Sequence, residues 1–316
     1  MKTILVLATA AFAAAAWASS PAYVYEGKWG TFGKGDGQFS TPRGVAVAPN
    51  TNVYVADTEN NRFQYFTATG SFLGKSGETF SLPYGVGTAP NGDVYVADTF
   101  NYRIQYFTSS GSYKGKWGTK GSGDGEFNAP FGVAVAPGTD VYVTDAFNYR
   151  VQYFTATGSF KGKWGSRGSG NGEFELPYYV AVAPNGNVYV TDAYNHRVEY
   201  FTSTGSYLGR WGKRGTGNGE FNGTSGVAVG SNNVVFVGDS DNHRVQYFTL
   251  TGSYLGQFGK SGTGTGEFNQ PRMVAVTAGA ARVYVADSRN HRIQYFKLTN
   301  PAVAPASLGR VKALFR

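Results

Sequence analysis

Residues 141–155 read VYVTDAFNYRVQYFT, and near copies of this stretch run through the chain. The other five are VYVADTENNRFQYFT, VYVADTFNYRIQYFT, VYVTDAYNHRVEYFT, VFVGDSDNHRVQYFT and VYVADSRNHRIQYFK. Their shared Asp falls at Asp57, Asp98, Asp145, Asp192, Asp239 and Asp287, with spacings of 41, 47, 47, 47 and 48 residues. A repeat of this length, rich in β-formers and glycine, predicts an array of small sheets stacked against one another.

Each unit resolves into four strands. In the third they are 131–136 (nearly all apolar, hence a buried inner strand), 141–144, 150–155 and 159–164. Pro137-Gly138 turns the first hairpin, where units two and four carry Asn91-Gly92 and Asn185-Gly186, a strong hairpin signal. Six four-stranded antiparallel units predict an all-β, six-bladed β-propeller. The last unit lacks an outer strand, and residues 23–30 (YVYEGKWG) match the outer strand SYKGKWG of 112–118. The N-terminal strand is therefore expected to complete blade six and remove an open sheet edge.

Composition narrows the function. The 316 residues include no cysteine, so neither disulfides nor thiolate metal sites exist. The net charge of +8 permits anionic partners without selecting one. Residues 1–18 pair Lys2 with an apolar run ending in Ala16-Trp17-Ala18, the pattern of a signal peptide, so a secreted chain is expected. The propeller is expected over 19–299. Residues 300–316 form a Pro/Ala linker and a basic amphipathic tail, too short to span a membrane. That tail reads as a frayed terminus, with weak membrane-surface contact as the alternative.

The runs VYVADT and NHRIQYF, with GEFxxPxGVAV ahead of them, resemble the NHL repeat, over residues 23–297. Some propellers similar to these are amidating lyases with His directly after the inner-strand Pro. This chain has Arg43, Tyr84, Phe131, Tyr178, Ser225 and Arg272 there, so that chemistry is not carried over. RNA binding, known among NHL propellers, is not expected of an exported chain.

Comparing the units with one another separates scaffold from site. The six Asp and the arginines five residues later (Arg62, Arg103, Arg150, Arg197, Arg244, Arg292) recur in every unit and read as pairs fixing a loop. Trp29, Trp117, Trp164 and Trp211 recur at one position and read as packing between blades. His196, His243 and His291 also share one position, on separate blades, which argues against a zinc site. The glycine-rich loops lack the residues of a phosphate cradle. One of them is shortened near Gly77, where Ser76 replaces the Trp, and a notch between blades one and two is expected.

Positions that break the sixfold pattern divide the ring. Blades two to four carry Tyr84, Phe100, Tyr102, Phe131, Phe147, Tyr149, Tyr178, Tyr179 and Tyr194; blades five, six and one carry Asp241, Arg272, Arg289, Arg43 and Glu59. The expected ligand-binding set is Arg43, Tyr84, Phe100, Tyr102, Phe131, Phe147, Tyr149, Tyr178, Tyr194, Arg272 and Arg289. This aromatic and cationic face suits a glycan, peptide or protein of the envelope or extracellular space, with no metal, cofactor or nucleic acid. The alternative is a metal-dependent hydrolase or lyase at the central channel, although the inner strands carry neither His nor carboxylate.

Overall fold

The computed structural model describes residues 22–299. The signal-peptide and tail expectations fall outside them. Six four-stranded antiparallel sheets surround one axis. In blade three the strands are Pro130–Val135, Val141–Asp145, Arg150–Phe154 and Phe160–Trp164, counted from the axis outward. Val141 faces Phe154 and Asp145 faces Arg150 in the central pair. The second strand is buried along its whole length because neighbouring blades cover both of its faces.

Ring closure is as the sequence implied. The strand Tyr23–Trp29 pairs with Arg292–Leu298 and is the outer strand of blade six. The first and last described strands therefore meet in one sheet.

Blades are joined by repeated contacts. The tyrosine of each VYV run sends its hydroxyl to a turn carbonyl of the next blade, as from Tyr95 to Ala156 (3.0 Å) and Tyr142 to Ser203 (2.9 Å). Blade five has Phe236 instead, because in the next blade no hairpin joins the third strand to the outer one, which is Tyr23–Trp29; Tyr23 packs edge-on against Phe236 at 5.2 Å. The recurrent tryptophans pack across blades as expected, Trp117 on Phe154 at 5.7 Å and Trp164 on Phe201 at 5.6 Å. Gly158 and Gly205 lie against those indoles, with φ of 93° and 91°; a Cβ there would collide with the ring.

The expected notch is filled. Phe63 stands where the other blades have Ile or Val, and its ring packs on Phe107 at 5.0 Å, the contact Trp makes elsewhere. Ser76 bonds to the Phe63 backbone beneath it, accepting from the amide at 3.2 Å. The extra ring on the third strand replaces the indole missing from the outer one.

Candidate functional site

The loop between second and third strands begins with a four-donor carboxylate. Asp145 Oδ1 accepts the Asn128 amide at 2.7 Å; Oδ2 accepts Asn148, Arg150 Nε and Gln152 at 2.8, 2.7 and 3.1 Å. Arg150 and Gln152 reach on to the carbonyl oxygens of the glycine-rich loop, including Glu126 at 2.9 and 2.7 Å. The Asp–Arg pair is thus one part of a network that also ties down the connection between blades. Asn148 is a member too, donating to the Gly121 carbonyl at 2.8 Å.

The residue after that Asn is left-handed in every blade: Asn61, Tyr102, Tyr149, His196, His243 and His291 have φ between 51° and 56°. The histidines receive backbone amides at Nδ1, from Gly223 to His196 (3.0 Å), Gln270 to His243 (3.3 Å) and Thr41 to His291 (3.1 Å). Each latches one blade to the next. Among the described residues no three metal-binding side chains converge. Burial holds the His196 imidazole below its ordinary pKa, helped by Arg214, so at neutral pH Nδ1 accepts and Nε2 carries the proton. Tyr102 and Tyr149, expected as ligand contacts, do not join the central pocket. Their rings lie under Lys120 (5.0 Å) and Arg167 (5.2 Å) of the glycine-rich loops.

The pocket on this face, about 450 Å³, straddles the boundary between the aromatic and charged halves. Its aromatic wall is Tyr84, Phe131, Phe147, Tyr178 and Tyr194; its polar wall is His196, Thr224, Ser240, Asp241, Gln270 and Arg272. Tyr84 stacks on Phe131 at 4.7 Å, and Phe131 meets Tyr178 and Phe147 edge-on at 5.1 and 5.9 Å. These rings therefore pack on each other and also line the opening. Phe147 and Tyr194 remain 48% and 67% exposed. Arg43 adjoins the wall, 4.6 Å from the Tyr84 ring centre and 3.5 Å from the Tyr178 hydroxyl. Phe100 and Arg289 are exposed but lie outside the pocket lining. Tyr179 is no rim residue: it is buried and donates its hydroxyl across the axis to the Arg43 carbonyl at 3.0 Å. Its ring meets that of Tyr178 edge-on at 5.0 Å, where the strand register shifts between Pro177 and Val180, and of the two Tyr178 lines the pocket.

The opening exists because of blade five. Gly223-Thr224-Ser225 occupies the place of Ala129-Pro130-Phe131 and Gln270-Pro271-Arg272. Ser225 is buried and turns its hydroxyl onto the carbonyls of Pro271 (3.0 Å) and Arg272 (2.8 Å). The missing bulk is the signal that sequence reading passed over. A larger cavity, about 510 Å³, occupies the other mouth of the channel, lined by Pro49, Pro90, Pro137, Pro184 and valines. It has no aromatic or ionisable lining residue, so it offers little directional recognition. Between the two mouths the channel wall is Val, Ala, Gly, Thr and Met.

Comparison with known proteins agrees with this architecture. The NHL repeat model matches residues 39–66, 179–201, 221–248 and 268–296. Protein brain tumor of Drosophila melanogaster is 47% identical over 49 residues, 16% of this chain and 5% of that protein. The B-box type zinc finger protein ncl-1 of Caenorhabditis elegans is 47% identical over 49 residues, 16% of this chain and 6% of the relative. The chain thus spans about a twentieth of the length of these relatives. Among solved structures, a Bacteroides thetaiotaomicron protein of unknown function superposes with TM-score 0.69 at 15% identity, covering 88% of this chain and 76% of the other. Virginiamycin B lyase of Staphylococcus aureus superposes with TM-score 0.57 at 14% identity, covering 82% and 95%. At such identities the likeness is one of fold. The chain thus carries NHL repeats in four of its units, and its closed ring of six four-stranded sheets is a six-bladed β-propeller.

Proposed function

We propose that the chain is a secreted, non-catalytic binding module that recognises a glycan, peptide or protein through the face bearing the Asp–Asn–Arg loops. The observation carrying this reading is the pocket where Phe147 and Tyr194 face Asp241 and Arg272. Apolar rings beside a few convergent polar groups are the usual make-up of a recognition site. Export rests on the sequence pattern of residues 1–18. A glycan and peptide array probed with the protein and with its Phe147→Ala/Tyr194→Ala variant tests the site. Loss of signal at an unchanged melting temperature supports it; full retention refutes it.

A further inference from the structure

We infer that the ligand is an acidic polysaccharide, engaged through the carboxylate of a hexuronate unit; this rests on the binding role proposed above. Two guanidinium groups meet at Tyr178. Arg43 Nη1 lies 3.5 Å from its hydroxyl, and the Arg272 guanidinium lies 6.0 Å from its ring centre. Among the described residues neither arginine has a carboxylate partner, whereas the six loop arginines all do. Arg43 Nε is also buried without a hydrogen-bond acceptor. Among the described residues the Arg272 guanidinium donates only to the neutral Gln270 amide oxygen, at 3.2 Å. Planar guanidinium forks of this kind match a carboxylate in shape and charge.

The rest of the pocket selects what carries that carboxylate. Asp241, exposed beside Arg272, accepts from Gln270 at 3.1 Å through Oδ1 and leaves Oδ2 for a hydroxyl donor. A carboxylate here disfavours a multiply charged phosphate and favours a ligand carrying hydroxyl groups together with a single anionic charge. Phe100, Phe147 and Tyr194 occupy one repeat position on three successive blades and are 44%, 48% and 67% exposed. Among the described residues no other ring packs on Phe100 or Tyr194. One open ring per blade offers successive platforms to a chain of pyranose rings, whose C–H faces stack on aromatics. A uronic acid polymer supplies anion, hydroxyls and stacking faces in a single repeat.

The test uses oligogalacturonate and oligomannuronate beside the same oligosaccharides after carboxyl reduction, titrated into the full protein at 150 mM salt. The acidic forms should bind at least tenfold more tightly. Arg272→Gln and Arg43→Gln should remove most of that difference while leaving weak binding of the reduced forms. Phe147→Ala/Tyr194→Ala should abolish binding of both. Equal affinity for acidic and reduced forms would overturn the uronate inference and leave the binding face intact. Polyglutamate binding as tightly as the uronates, or uronate binding surviving the loss of both rings, would show simple polyanion attraction to a basic chain and overturn it as well. Peptides bound on the array with no oligosaccharide bound would overturn it while preserving the general reading.

Discussion

Glu26 and Arg282 tie the first described strand to blade six: the guanidinium grips both carboxylate oxygens, at 2.6 and 2.7 Å, across 256 positions of sequence. The pair sits where the N-terminal strand joins blade six. Trp29 on the same strand packs on Phe66 of blade one at 5.6 Å, so closure also seals a blade interface. Removing residues 22–30 should destabilise the protein by at least about 3–5 kcal/mol, the scale of losing one buried large aromatic. Calorimetry checks this, and an unchanged melting temperature contradicts closure.

The ion pair itself should matter less. It is partly exposed, so Glu26→Gln should cost about 1 kcal/mol or less. Hydrogen bonding to Arg282 lowers the Glu26 pKa from its ordinary 4.5. The stabilisation is therefore present above pH 4.5 and lost as pH falls through the lowered folded value. The gap between wild type and Glu26→Gln should close in acid.

Glu199 has the opposite sign. Five blades carry Gln here, and blade four alone carries Glu. Glu199 is buried against Arg197 and draws that side chain away from Asp192, leaving Nε 3.5 Å from Oδ2 where other blades have 2.7–2.8 Å. Burial raises the Glu199 pKa above 4.5. Its carboxylate thus weakens the fold at neutral pH, and the deficit disappears as pH falls toward and below 4.5. Glu199→Gln should stabilise the protein by about 1–2 kcal/mol at pH 7, raising Tm by a few degrees, with no gain near pH 4. Equal pH dependence in the two proteins would contradict this.

Phe63 and Ser76 form a compensating pair. Phe63→Val should open a cavity and cost roughly 2–4 kcal/mol. Ser76→Trp with Phe63 retained should overpack and cost about 1–3 kcal/mol. Together they recreate the Val–Trp arrangement of blade three, and the double variant should recover most of the loss. Additive losses in a double-mutant cycle would show that the two residues do not share one space.

The blade pattern was legible because alternation and turn residues recur in every copy, and the orphan strand at 23–30 announced closure. The contribution of Gln152 was not, since it bonds a loop 26 residues away that only the folded blade brings near. Phe63 hid for a similar reason: a Val-to-Phe change looks conservative until the missing Trp is placed beside it. The aromatic half of the ring is a division of residue types along the sequence, and its members part company in space. Tyr179 is buried with its hydroxyl on the Arg43 carbonyl, and Tyr102 and Tyr149 sit beneath loop cations. The pocket itself depends on small residues at Gly223, Thr224 and Ser225, and absence of bulk leaves little trace in a search for chemistry-bearing side chains.

Filling that space should silence the site without harming the scaffold. Thr224→Pro restores the residue found in the other five blades, and Asp241→Asn removes the negative charge of the polar wall. Each should weaken ligand binding at least tenfold with Tm changed by no more than a few degrees. Unaltered binding in both would place recognition elsewhere.

Hydrogen exchange with the array-selected ligand bound tests the central claim most directly. The account predicts slowed exchange at residues 145–149, 192–196, 223–225 and 239–243, around the pocket of Tyr194 and Asp241. Protection confined to the opposite mouth, at residues 48–51, 89–92 and 136–139, would contradict it.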